Sequence, residues 1–151
     1  RDVTKILVPT DLSKQSEKYV KSMADYAKAI GAELVLFHKQ PDPLDPIVQQ
    51  GVYSLGGGWV SVQSFIDDDL ELKNQQIADL EEQLRKRNVA VSHVFDTSPS
   101  GLVEAIGKAA QDTGADMVSV LTQSGPWTAA ILGSVARGLV RHSSIPVLVQ
   151  R

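Results

Sequence analysis

The chain predicts an α/β fold: a five-stranded parallel, doubly wound sheet with helices on both faces. Three observations predict it. Short apolar runs rich in Val, Ile and Leu recur along the sequence, amphipathic stretches at helical spacing separate them, and most joints are short. Continuous apolar runs belong to strands buried on both faces, and strand–helix–strand order implies parallel pairing with right-handed crossovers. At 151 residues the chain has the length of one domain with its own core, so residues 1–151 are read as a single unit.

Lys5 to Val8 opens the fold as a buried strand, with Pro9-Thr10-Asp11 at its C-terminal end. Ser13 is an N-cap for a helix over Lys14 to Ile30, where Val20, Met23, Ala27 and Ile30 share a face. Gly31 suits the left-handed position after that helix. Glu33 to His38 is the second strand. Residues 40–60 then break the rhythm with Pro41, Pro43, Pro46, Gly51 and Gly56-Gly57-Gly58. A loop of this length is either a lid or partner-contact segment, or an insertion without a role. It is no phosphate loop, because no Lys-Ser/Thr follows the glycines.

Ser61 to Arg87 predicts a long helix with Val62, Phe65, Ile66, Ile77, Leu80 and Leu84 inward. Asp67-Asp68-Asp69 lies near its expected start and Arg85-Lys86-Arg87 at its end, matching the helix dipole. Three adjacent helical positions point in different directions, so a solvated acidic face is favoured over a metal site. Val89 to Phe95 is the third strand, with His93 expected on the surface of a sheet edge. Ser98-Pro99 is expected to cap and start a helix carrying Leu102, Val103, Ile106 and Ala110 inward, which Gly114 ends. Met117 to Leu121 is the fourth strand. Gly133-Ser134 opens a further helix with Val135, Ala136, Leu139 and Val140, and Pro146 to Val149 is the last strand.

Composition excludes several functions. There are 18 acidic and 15 basic residues, a balance unsuited to neutralising nucleic-acid phosphates. The chain has no cysteine, which removes disulfides, thiolate catalysis and thiolate metal sites. No apolar run approaches membrane-spanning length, and no nucleic-acid or membrane partner is expected. His38, His93 and His142 show neither metal-ligand spacing nor an assignable triad, so no catalytic or metal-binding residue is named.

In doubly wound sheets ligands bind outside the C-terminal strand ends, where the strand order reverses. The residues at those ends are Pro9, Thr10, Asp11, His38, Lys39, Thr122 and Gln123, and Gly133, Ser134 and Val135 can reach the same crevice. A Gly-Ser pair opening a helix offers free backbone N–H groups to an anion, or simply caps the helix.

Four separated segments resemble the universal stress protein family: Lys-Ile-Leu-Val-Pro-Thr-Asp-Leu-Ser (5–13), Leu-Val-Leu-Phe-His (34–38), Gly-Ala-Asp-Met-Val (114–118), and Leu-Gly-Ser-Val-Ala with His-Ser-Ser-Ile-Pro-Val-Leu-Val (132–149). The resemblance spans the chain and implies an adenine-nucleotide α-hydrolase-like fold, commonly dimeric. Many members bind ATP. The binding branch carries Gly-x-x-Gly, nine residues, then Gly-Ser/Thr. Counting back from Gly133-Ser134 without a gap puts Gln123 and Val120 where the leading glycines belong. Their side chains are therefore expected to crowd the phosphate floor, with no Lys or Arg in 120–130 to compensate. Asp11 is retained, either beside a nucleotide or as a cap for the strand-to-helix turn.

The sequence reading is a cytoplasmic, dimeric stress-response interaction or signalling module that is not an enzyme and does not hydrolyse ATP. The alternative is an ATP/AMP-binding sensor with an incomplete cradle, ATP being the one candidate cofactor. The resemblance implies a homodimer formed through the last strand, and Ile145, Pro146, Val147, Leu148, Val149 and Gln150 are the candidate contacts.

Overall fold

The structure is a computed structural model that describes residues 2–40, 59–121, 137–138 and 145–150. Its elements in chain order are β1 (Lys5–Pro9), α1 (Lys14–Ile30), β2 (Glu33–Lys39), α2 (Trp59–Lys86), β3 (Val91–Asp96), α3 (Leu102–Thr113), β4 (Met117–Leu121) and β5 (Val147–Gln150). Arg137 and Gly138 are helical as well. The expectations placed on residues 41–58, 122–136 and 139–144 lie outside the described residues.

The strands form one five-stranded sheet in the order β3-β2-β1-β4-β5, and every neighbouring pair is parallel. The chain starts at the central strand and steps outward through β2 and β3. It then returns to the other side of β1 for β4 and β5. The order therefore reverses between β1 and β4, and the crevice at their C-terminal ends is where such sheets take ligands.

Two cores lie on opposite faces of the sheet. Ile6, Val8, Leu34, Leu36, Val91 and Leu121 face α1 and α2, meeting Val20, Met23, Ile77 and Leu84. Leu7, Val35, Phe37, Val118 and Val120 face α3, meeting Ala105, Ile106 and Ala109. Period-two alternation assigns successive strand residues to the two faces, and both faces are apolar because both are covered. At the end of the sheet away from the crevice, Asp116 Oδ2 accepts from Thr4 N at 2.9 Å, Thr4 Oγ1 at 2.5 Å and Lys5 N at 3.1 Å. That carboxylate ties the start of β1 to the start of β4.

The helices α1, α2 and α3 stop in the same way. Gly31 and Gly114 adopt φ 72°, Asn88 adopts φ 62°, and the next N–H in each case bonds back to Ala27, Ala110 or Leu84. This is the left-handed stop expected of Gly or Asn.

Several elements differ from their sequence reading. α2 starts at Trp59 rather than Ser61, because nothing after Gly58 breaks a helix. The Asp67–Asp69 run then lies well inside α2, whose first turn holds no acid, so the dipole does not account for it. α3 starts at Leu102 with Gly101 as its cap, and Ser98 instead joins a turn in which its N–H bonds Asp96 Oδ1 at 2.7 Å. Ile30, expected inward, is 43 % exposed at the last turn of α1. β3 is an edge strand as expected, but His93 is half-buried and donates from Nδ1 to the buried Glu81 of α2. Pro146 precedes β5, and its carbonyl accepts from Val118 N at 3.0 Å.

Candidate functional site

The corner at the C-terminal end of β1, beside the strand-order reversal, is built by Thr10, Asp11 and Ser13. Thr10 N donates to Phe37 O at 2.8 Å and carries the β1–β2 ladder one step beyond β1. Thr10 Oγ1 accepts from Leu12 N at 3.0 Å and lies 2.6 Å from Ser16 Oγ. Asp11 Oδ1 accepts from Ser13 N at 3.0 Å and Ser13 Oγ at 2.6 Å. Ser13 Oγ in turn accepts from Ser16 N at 3.2 Å and caps α1. These bonds hold Leu12 at φ 63°, a conformation that costs a side-chain-bearing residue about 1–2 kcal/mol. The turn is thus a rigid, internally bonded corner. Asp11 caps this turn through Ser13, and the residue is 2 % exposed.

His38, at the end of β2, braces the same corner. Its Nδ1 donates to the Thr10 carbonyl at 2.8 Å, its Nε2 lies 3.2 Å from Gln40 Oε1, and its ring stacks at 39° on Phe95, 5.4 Å away. Burial pushes the His38 pKa below the ordinary imidazole value, against the hydrogen bonds to Thr10 and Gln40, which raise it. Lys39 points the other way. Its Nζ donates to Ser98 O at 2.5 Å and pairs with Asp96 Oδ1 at 3.8 Å, which fastens β2 to β3. Lys39 is therefore a strut between strands, and it is 9 % exposed.

On the β4 side, Val120 corrects the expectation of a crowded phosphate floor. It is 1 % exposed and packs in the α3-side core with Leu7, Phe37 and Ile106, pairing with Val149 in the sheet. Its side chain lies within the core, because the ungapped count runs back into the body of β4. That strand ends at Leu121. A motif beginning just past the strand starts at Thr122 and meets Gly125 three positions on, with seven residues instead of nine before Gly133. Thr122, Gln123, Gly133, Ser134 and Val135 lie outside the described residues.

At the far edge, Ile145 and Val147 are half-buried against the α3-side core, whereas Pro146 and Gln150 are exposed. Leu148 and Val149 are 40 % and 44 % exposed on the outermost strand. Sequence reasoning missed three sets of buried or part-buried polar links. Tyr19 Oη and Ser119 Oγ join α1 to β4, Gln40 Nε2 donates to Asp69 Oδ2 at 2.6 Å, and Glu81 holds both His93 and Arg85. Ser119 carried a signal, being a lone polar residue in an apolar strand. The Gln40–Asp69 and Glu81–His93 links join different elements and carried none, whereas Glu81 and Arg85 stand at the i,i+4 spacing of a helical ion pair. Among the described residues no group of three His, Asp or Glu forms a metal site, and no helix is long and apolar enough to cross a membrane.

The universal stress protein family matches residues 3–151. A universal stress protein family structure from Burkholderia pseudomallei superposes with a TM-score of 0.71 at 22 % identity, covering 97 % of this chain and 95 % of that one. The universal stress protein from Archaeoglobus fulgidus in complex with dAMP has a TM-score of 0.66 at 16 % identity, with 100 % of both chains covered. A universal stress protein in complex with cAMP has a TM-score of 0.63 at 18 % identity, covering 100 % of this chain and 98 % of that one. At these identities the likeness establishes the fold. No curated protein matches the chain significantly.

Proposed function

The chain belongs to the universal stress protein family, and from that premise we propose that it is a dimeric signalling module that binds an adenine nucleotide in the β1–β4 crevice without hydrolysing it. The observation that carries this reading is the position of Val120 inside the core. The steric objection to a nucleotide rested half on that side chain, and it loses that half. Two neighbours of the same fold hold dAMP and cAMP, and the corner at Thr10–Asp11 stands at the strand-order reversal where such sheets take nucleotides. The wiring of the described corner supports a reading without hydrolysis. Asp11 is engaged with Ser13, and His38 is turned onto the Thr10 carbonyl. Neither is set to activate a water.

Binding is tested by calorimetric titration of the purified protein with ATP, AMP and dAMP. The reading predicts a saturable heat for at least one of them. Asp11→Asn, which keeps an oxygen for the Ser13 cap but removes the charge, is expected to change that affinity by about tenfold. No heat with any of the three nucleotides would leave the interaction module without a nucleotide as the surviving reading.

The dimer is proposed to form through β5. What supports this is the apolar exposure of Leu148 and Val149 on an edge strand, where unpaired backbone groups invite a partner. The place of action is proposed to be the cytoplasm.

A further inference from the structure

Gln40 sits between two groups that make incompatible demands on it. The Thr10 carbonyl can only accept, so His38 Nδ1, 2.8 Å away, carries a hydrogen. The Asp69 carboxylate also accepts, so the Gln40 amide nitrogen, 2.6 Å away, turns toward it. That leaves the Gln40 amide oxygen facing His38 Nε2 at 3.2 Å. The two bond only when Nε2 carries a hydrogen too, which makes the ring a cation. Rotating the amide by half a turn moves the conflict without removing it. The nitrogen then serves a neutral His38, and the oxygen opposes the Asp69 carboxylate unless that acid is protonated. A chain with an acceptor at each end and a neutral amide in the middle is one proton short. His38 and Gln40 are 3 % and 8 % exposed, so an unmade link there is costly.

We propose that His38, Gln40 and Asp69 form a proton-operated latch between the end of β2 and α2, closed when the three residues together hold one extra proton. Without that proton one of the two junctions opens, and the stretch of α2 around Asp69 loses its polar tie to the sheet. The latch also accounts for Asp69, which the helix dipole does not, while Asp67 and Asp68 beside it are exposed. Among the described residues, charges from two elements act on His38. Asp11 in the β1–α1 turn favours the cation and Lys73 on α2 opposes it. β3 presents the Phe95 ring to it. Beyond that ring, Lys39 and Asp96 pair with one another. Burial opposes protonation, so closing falls on the acid side of the ordinary imidazole range. The inference does not depend on nucleotide binding.

The test is NMR of the His38 ring together with amide exchange along α2, on the full chain and on Asp69→Asn, Gln40→Met and the double variant. In the wild type, lowering the pH should place a hydrogen on Nε2 and raise the exchange protection near Asp69, after correction for intrinsic rates. Asp69→Asn offers a donor to the reversed Gln40 amide, so it should close the latch around a neutral ring. Protection there then becomes independent of pH and the His38 pKa falls. In the Gln40→Met background the Asp69→Asn change should have no further effect on His38. Additive effects of the two changes on His38 would mean that Asp69 acts only through its field, and the latch is wrong. Wild-type protection that does not vary with pH overturns it as well, and Asp69→Asn alone decides that point if Gln40→Met does not fold.

Discussion

At the scale of single residues, Val120 and His38 carry the account. Val120 was legible as a strand residue, but a motif count made without a gap moved it into the crevice. The count fails because β4 continues to Leu121. Counts along a loop do not register where a strand ends, whereas the apolar run itself does. Val120→Ala should therefore behave as a core deletion and cost about 2 kcal/mol in denaturant unfolding, with no gain in nucleotide affinity. A gain in affinity without loss of stability would return Val120 to the phosphate floor. His38 makes a prediction in pH. Its folded pKa is lowered, chiefly by burial, so the unfolded chain takes up the proton first. Its contribution to stability is full above the unfolded value of about 6.5 and is lost as the pH falls from there through the folded pKa. Urea midpoints measured from pH 7.5 to 5 should fall, and His38→Gln should flatten that part of the slope. An unchanged slope in the variant would assign the pH dependence to other groups. The same proton closes a local tie at Asp69, so acid is expected to tighten α2 locally while it costs the fold globally.

At the scale of elements, the sequence states most helices and strands to within two residues. α1 and β4 coincide with their expected bounds because Ser13, Gly31, and the Gly114 stop before β4 are unambiguous local signals. α3 shows where local signals mislead. Ser98-Pro99 has the form of a helix start, yet the Asp96–Ser98 turn uses it and the helix waits for Gly101. Nothing in the sequence ranks one start above the other. The end of α2 was less visible than those of α1 and α3, because Asn88 takes the place of glycine in the left-handed stop. Asn88 is exposed, and its N–H bonds Arg85 O at 2.9 Å, a bond glycine keeps. Asn88→Gly is expected to be neutral to stabilising, by up to about 1 kcal/mol, in thermal or urea unfolding. A loss of more than that would mean that the Asn88 side chain has a contact of its own. The polar links between elements were the least legible part of the site. Gln40 and Asp69 are 29 positions apart, and no spacing rule connects a residue after a strand with one inside a helix.

At the scale of the whole molecule, the strand order places the two ends of the account on different parts of one sheet. The crevice lies between the central strand and β4, and the exposed apolar pair Leu148 and Val149 lies on the outermost strand. β4 touches both, since it lines the crevice side and pairs with β5 from Val118 to Leu121. The proposed binding and the proposed pairing are thus one strand apart. Val149→Lys puts a charge on the proposed contact and should yield a monomer in sedimentation at micromolar concentration, where the wild type is expected to sediment as a dimer. A wild type that is monomeric there contradicts the β5 interface. The fold class and the crevice were legible because parallel βαβ order fixes them with little help from side chains. The occupant was not, since it depends on backbone conformation beyond the end of β4. The most direct measurement is therefore a crystal structure of the protein grown with ATP and Mg²⁺. The account predicts an adenine nucleotide with its triphosphate intact, lying against Thr10 and Asp11, while Val120 stays buried against α3. An empty crevice at saturating ATP, or a hydrolysed nucleotide in it, would contradict the account.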